Sequence, residues 1–133
     1  MTNPPLRIVI VEDDGTLAQA VQSQLESDGR FVVCGRAGDG AEALELVDKE
    51  SPDLVLMDIG MPGLDGIDTP RAIRERNANP WVVIYTGSDE YDDVARADAA
   101  GANGYLHKSA LNSPDLADAL YVLHTNFVRG IDA

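Results

Sequence analysis

The sequence predicts an α/β domain, a parallel sheet with helices on both faces. Three observations carry that prediction. Short apolar runs recur along the chain: LRIVIV (Leu6–Val11), FVVC (Phe31–Cys34), LVLM (Leu54–Met57), WVVIY (Trp81–Tyr85) and YLH (Tyr105–His107). The longer runs lack the apolar–polar alternation of a sheet with one wet face, so they read as strands buried on both faces. Between them lie segments with apolar residues at helical spacing, and such alternation builds a parallel sheet through right-handed crossovers.

Taken in order, Met1–Pro5 is a short polar lead and Leu6–Val11 is β1. Helix α1 runs from Asp14 to Asp28, with Leu17, Val21 and Leu25 on one face, Asp14 as its expected cap and Gly29 as its expected stop. Strand β2 is Phe31–Cys34. Asp39, in the Gly38–Gly40 turn, caps α2 (residues 40–50), where Ala43, Leu44 and Val47 share a face before Ser51 and Pro52 end it. Strand β3 is Leu54–Met57, closed by Asp58 and followed by the loop residues Pro62, Gly63 and Gly66. Helix α3 occupies the region of Ile67 and Ile73, with Pro70 in its first turn and Thr69 as its cap. Strand β4, Trp81–Tyr85, delivers Thr86, Gly87 and Ser88. Helix α4, Asp89–Ala100, has a thin, alanine-rich apolar face. Strand β5, Tyr105–His107, ends at Lys108. Ser113, Pro114 and Asp115 then open α5, which extends to Phe127 with Leu116, Leu120, Leu123 and Phe127 inward.

The 133 residues suit one domain, residues 1–133 with a core from about 6 to 127, and no linker or repeat divides them. A net charge of −13, from 23 acids and 10 Lys and Arg, should repel phosphate backbones, so direct nucleic-acid binding by this chain is not expected. The longest apolar runs are far too short to span a bilayer, and the polar, proline-containing amino end does not read as a signal peptide. A lone cysteine, Cys34, suits a reducing compartment; a cytoplasmic protein with a buried, structural thiol is expected.

The strand ends carry the chemistry. β1 ends at Glu12 and Asp13, β3 at Asp58, β4 at Thr86 and β5 at Lys108. In a parallel sheet these ends share one edge, where sites of open α/β folds form. Three carboxylates there repel one another and call for a cation. An all-oxygen ligand set suits Mg²⁺, while His107 and His124 stand apart and offer no zinc-type site. A divalent ion beside an aspartate, with a lysine and a hydroxyl opposite, fits a phosphoryl group, with Asp58 as the attacking nucleophile.

On these residues the chain resembles the receiver domains of bacterial two-component response regulators. The matching stretches are VIVEDD (Val9–Asp14), LVLMDIGMPGLDG (Leu54–Gly66), VVIYTG (Val82–Gly87) and AGANGYLHKSA (Ala100–Ala110). The wording around Lys108 and after Thr86 is most similar to receivers joined to a LuxR-type helix-turn-helix. The resemblance implies a flavodoxin-like doubly wound sheet of strand order 2-1-3-4-5. It implies that Asp58 is the phosphoacceptor and that Mg²⁺ is held by Glu12, Asp13, Asp58 and the backbone carbonyl of Gly60. It further implies that Thr86 is the switch hydroxyl, Tyr105 the switch aromatic and Lys108 the phosphate-binding amine, whereas Asp14 falls on a variable position and is not a ligand. A sensor histidine kinase is the implied partner, with homodimerisation through the α4-β5-α5 or α1-α5 face. The switched α4-β5-α5 face would control transcription through a LuxR-type domain absent from these residues, or the chain would act as a stand-alone receiver rather than an enzyme.

The chain departs from the pattern at Ser109, where many relatives have proline. Gly60 and Ser88 are small at positions that tune dephosphorylation in relatives. The alternative is a Mg²⁺-dependent phosphohydrolase of the haloacid-dehalogenase type. That family sets its nucleophile on the first strand with a second Asp two residues later, and here the first strand ends Glu12-Asp13-Asp14. A flavin-binding module would want a hydroxyl- and glycine-rich loop where these acids stand.

Overall fold

Successive side chains of a strand point to opposite faces, and this chain uses both faces of every central strand. In the computed structural model, residues 4–58, 68–76, 80–86, 102–107, 111, 115–122 and 124 are described. The strands are β1 Leu6–Val11, β2 Phe31–Ala37, β3 Leu54–Asp58, β4 Trp81–Thr86 and β5 Gly104–His107. They form one sheet of order β2-β1-β3-β4-β5, and every neighbouring pair is parallel. The expected fold class and strand order are those observed.

Ile8, Ile10, Leu54, Leu56, Val83 and Tyr85 pack on one face with Ala18, Val21 and Leu25 of α1 (Gly15–Glu26) and with Leu116, Ala117 and Leu120 of α5. Val9, Val11, Val55, Met57, Val82 and Ile84 pack on the other with Ala43 and Val47 of α2 (Gly40–Glu50) and with Ile73 of α3 (Asp68–Arg76). Among the described residues, two helices on each face therefore pack on a sheet whose middle strand is buried along its whole length.

The caps follow the sequence. The Asp14 carboxylate accepts from the amides of Thr16 and Leu17 at 3.0 and 3.2 Å. Asp39 accepts from the amide of Glu42 at 2.8 Å. Each such cap satisfies amides that the first helical turn leaves without carbonyl partners, contributing about 1 kcal/mol.

Several boundaries differ from expectation. Helix α1 ends at Ser27, whose amide returns to the carbonyls of Ser23 and Leu25, so Gly29 does not terminate it. Helix α3 already includes Asp68, so Thr69 lies inside the first turn, 7% exposed, rather than capping it. Strand β2 continues through Cys34 to Ala37 because a bulge absorbs one residue: Ile8 aligns with Val33 but Val9 with Gly35. Cys34, the extra residue, is half-buried rather than buried, and its thiol donates to the Ile8 carbonyl at 3.5 Å. Burial pushes that thiol above its ordinary range, which suits an unreactive, structural side chain. Leu116 and Leu120 of α5 are buried as expected. Leu123, Phe127, the Ser113–Pro114 start of α5 and the whole of α4 lie outside the described residues.

Candidate metal centre at the carboxyl edge

β1 and β3 are neighbours and parallel, with Val11 in register with Met57. The residues just past that step, Glu12 and Asp58, therefore arrive together at the carboxyl edge. Carboxylate oxygens of Glu12, Asp13 and Asp58 all lie within 4.8 Å of one another. Glu12 and Asp58 are 5% and 7% exposed, while Asp13 faces solvent. The donor set is oxygen only and opens to water on the Asp13 side, which fits a hard cation that keeps part of its hydration shell.

Glu12 is held from two sides. The Asp14 amide donates to its Oε2 at 3.0 Å, and the Tyr85 hydroxyl donates to its Oε1 at 2.7 Å. Its own amide bonds the Ala37 carbonyl at 2.9 Å, extending β1–β2 pairing by one residue. Burial pushes the Glu12 carboxyl above its ordinary range; the Asp14 and Tyr85 bonds oppose that shift, while Asp13 and the charge of Asp58 add to it. Burial is likewise the main reason the Tyr85 phenol is pushed upward, with the bond to Glu12 next, so it stays a donor.

The structure thus brings together three of the expected ligands. Asp14 is engaged as a helix cap. The backbone of Thr86 ends β4 in register with His107, but its side chain, and all of Gly60 and Lys108, lie outside the described residues. Tyr105 is half-buried on β5 in register with Ile84. His124 is set against Trp81, ring centroids 5.8 Å apart, away from the acids.

Tyr85 was not singled out by sequence reasoning. It reads as one more aromatic strand residue, and its partner lies 73 positions away. The available signal was a polar-tipped side chain at the last step of an otherwise apolar strand, since a buried phenol usually finds an acceptor.

Fold and site together define a doubly wound α/β domain with an acidic cluster at the carboxyl edge of its sheet. Residues 8–121 match the response regulator receiver domain, and the chain belongs to that family. It is 37% identical over 123 residues to the transcriptional regulatory protein PdtaR of Mycobacterium tuberculosis, covering 92% of this chain and 58% of that protein. It is 37% identical over 106 residues to the nitrate/nitrite response regulator protein NarP of Escherichia coli, covering 80% of this chain and 49% of NarP. Among solved structures, a LuxR-family two-component response regulator from Aurantimonas sp. superposes with a TM-score of 0.83 at 29% identity, over 92% of this chain and 86% of that one. The chain spans about half the length of the curated relatives it matches. The chain is thus similar to receivers of LuxR-family regulators, and the phosphohydrolase alternative gains no support. Among the described residues, no helix is long and apolar enough to cross a membrane.

Proposed function

We propose that this receiver takes a phosphoryl group on the Asp58 carboxylate from a sensor histidine kinase. The observation that carries the reading is the convergence of Glu12, Asp13 and Asp58 within 4.8 Å in a chain of the receiver family. In the transfer an Asp58 oxygen attacks phosphorus, the P–N bond to the kinase histidine breaks, and the departing imidazole keeps the electron pair. Glu12, Asp13, Asp58 and the Gly60 carbonyl would hold Mg²⁺, which neutralises charge on the phosphoryl oxygens when bound. Lys108 pairs with one phosphoryl oxygen and the Thr86 hydroxyl donates to another. Tyr105 follows Thr86, so that the α4-β5-α5 face changes contour with the charge at Asp58. The domain acts as a non-catalytic phosphoacceptor in the cytoplasm and dimerises through α4-β5-α5 or α1-α5. Transcription is controlled by the full-length protein, and these acidic residues do not themselves bind DNA.

Intact-mass and peptide mass spectrometry after incubation with acetyl phosphate and MgCl₂ tests the reading. The expected result is one added phosphate, on the peptide containing Asp58. Modification elsewhere, or none in a folded sample, would overturn it.

A further inference from the structure

The Tyr85 side chain is wholly buried, packed with Ile8, Ile10, Leu54, Leu56 and Val83. Its ring therefore has one rigid seat, fixed by the sheet and by α1 and α5 rather than by the acidic edge. Only its hydroxyl reaches the edge, donating to Glu12 Oε1 at 2.7 Å. A buried hydroxyl left without an acceptor is destabilising, so the seated ring holds the carboxylate. The Asp14 amide holds the other oxygen at 3.0 Å. With both oxygens engaged, the remaining lone pairs of Glu12 point in fixed directions. Across β3–β4, Tyr85 is in register with Asp58. One residue that is not itself a ligand thus bonds one member of the acidic cluster and neighbours another.

We propose that Tyr85 is a positioning residue for Mg²⁺ binding, its hydroxyl fixing Glu12 in the orientation that completes the site with Asp13 and Asp58. The inference rests on the metal site proposed above. Groups that orient metal ligands from behind typically change affinity by about 10–100-fold when removed. Tyr85→Phe keeps the packed ring and deletes only the donor, so Mg²⁺ affinity should fall by about tenfold.

Calorimetric titration of the folded protein with MgCl₂ alone reads this directly. A packing role would lower the melting temperature of the metal-free variant and leave the Mg²⁺ Kd unchanged; that result would overturn the inference. Glu12→Asp supplies the second arm. It shortens the side chain by one methylene and draws the carboxylate back from the phenol. In that background Tyr85→Phe should change Kd by less than about twofold, because the interaction it removes is already gone. A tenfold loss in both backgrounds would show that Tyr85 does not act through Glu12. In wild type, labelled with ¹³C-tyrosine, the Tyr85 ring Cζ resonance should shift on MgCl₂ addition. That of Tyr121, packed on Phe31 and under Arg30, should not. An unmoved Tyr85 resonance at saturating MgCl₂ would also overturn the proposal. Wild type that binds no Mg²⁺ removes the metal site and the inference with it. Wild type and Tyr85→Phe binding equally removes the inference alone.

Discussion

At the amino edge of the sheet, acids meet cations. Arg7 bonds the carbonyl of Glu50 and, at 2.9 Å, its carboxylate. Its amide also donates to Asp53. Arg30 pairs with Asp28 and Asp118 and lies over the ring of Tyr121. At the carboxyl edge, Glu12, Asp13 and Asp58 meet one another. The amino-edge pairs are partly exposed, so each contributes only about 0–1 kcal/mol. The apolar layers between the two edges dominate stability, since truncating one such buried side chain typically costs about 2–5 kcal/mol. The difference teaches that the core holds the carboxyl edge in an arrangement its own charges oppose. Burial is the main reason the Glu12 carboxyl is pushed upward, and the neighbouring Asp13 carboxyl and the charge of Asp58 add to that push.

The largest expected effect breaks the carboxyl edge at its centre. Asp58→Asn should abolish phosphate incorporation from acetyl phosphate, read by intact mass. Incorporation equal to wild type would show that another residue is the acceptor. Next comes the response to cation. Mg²⁺ at a hundredfold excess over Kd should stabilise wild type by about 2.7 kcal/mol, a rise in Tm on the order of 10 °C for a domain of this size. Asp13→Asn should melt higher than wild type without metal and lose most of that rise. A full Mg²⁺-dependent rise in the variant would remove Asp13 from the site.

The amino edge responds to acid. Pairing with Arg30 holds the Asp28 carboxyl at about 2, below its ordinary 3.8. A lowered folded value means that the stabilisation is present above 3.8 and is lost as pH falls toward 2. Urea unfolding across that window should therefore show a steeper loss for wild type than for Asp28→Asn; identical slopes would mean the pair is not formed in solution. The smallest effect belongs to Arg30→Met, which removes both ion pairs and the cation–ring contact. It should cost about 1 kcal/mol or less in urea melts at neutral pH. A larger loss would mean that the amino edge contributes far more to the fold than exposed pairs do.

The strands were legible because burial on both faces leaves an apolar run that few other elements produce, and the shared edge because parallel pairing sends all strand ends to it; the strand order came from the resemblance to the receiver family. Glu12, Asp13 and Asp58 followed from that alone. The length of β2 was not legible: Gly35 looks like a terminator. In the structure a side chain built there would come within 2.9 Å of Leu46, so the glycine accommodates close packing of α2 inside a continuing strand. Thr69 was misassigned as a cap, since Asp and Thr in succession both suit a helix start and the helix already includes Asp68. The Tyr85–Glu12 bond was hidden for a different reason. Periodicity reports which face a side chain takes, and carries no information about which distant acceptor a buried hydroxyl will find.

At the start of β3, opposite its acidic end, Ser51 closes α2 with φ 46° and its amide on the Val47 carbonyl. It is the one non-glycine residue with positive φ among those described. A left-handed serine costs on the order of 1 kcal/mol. Residue 51 is remote from the carboxyl edge, so glycine or asparagine there would alter the margin of the fold without altering the charges at the site. The chain therefore carries an unused reserve. A lineage that tightened its acidic centre, at the expense of robustness, would have a place away from the site at which to restore it.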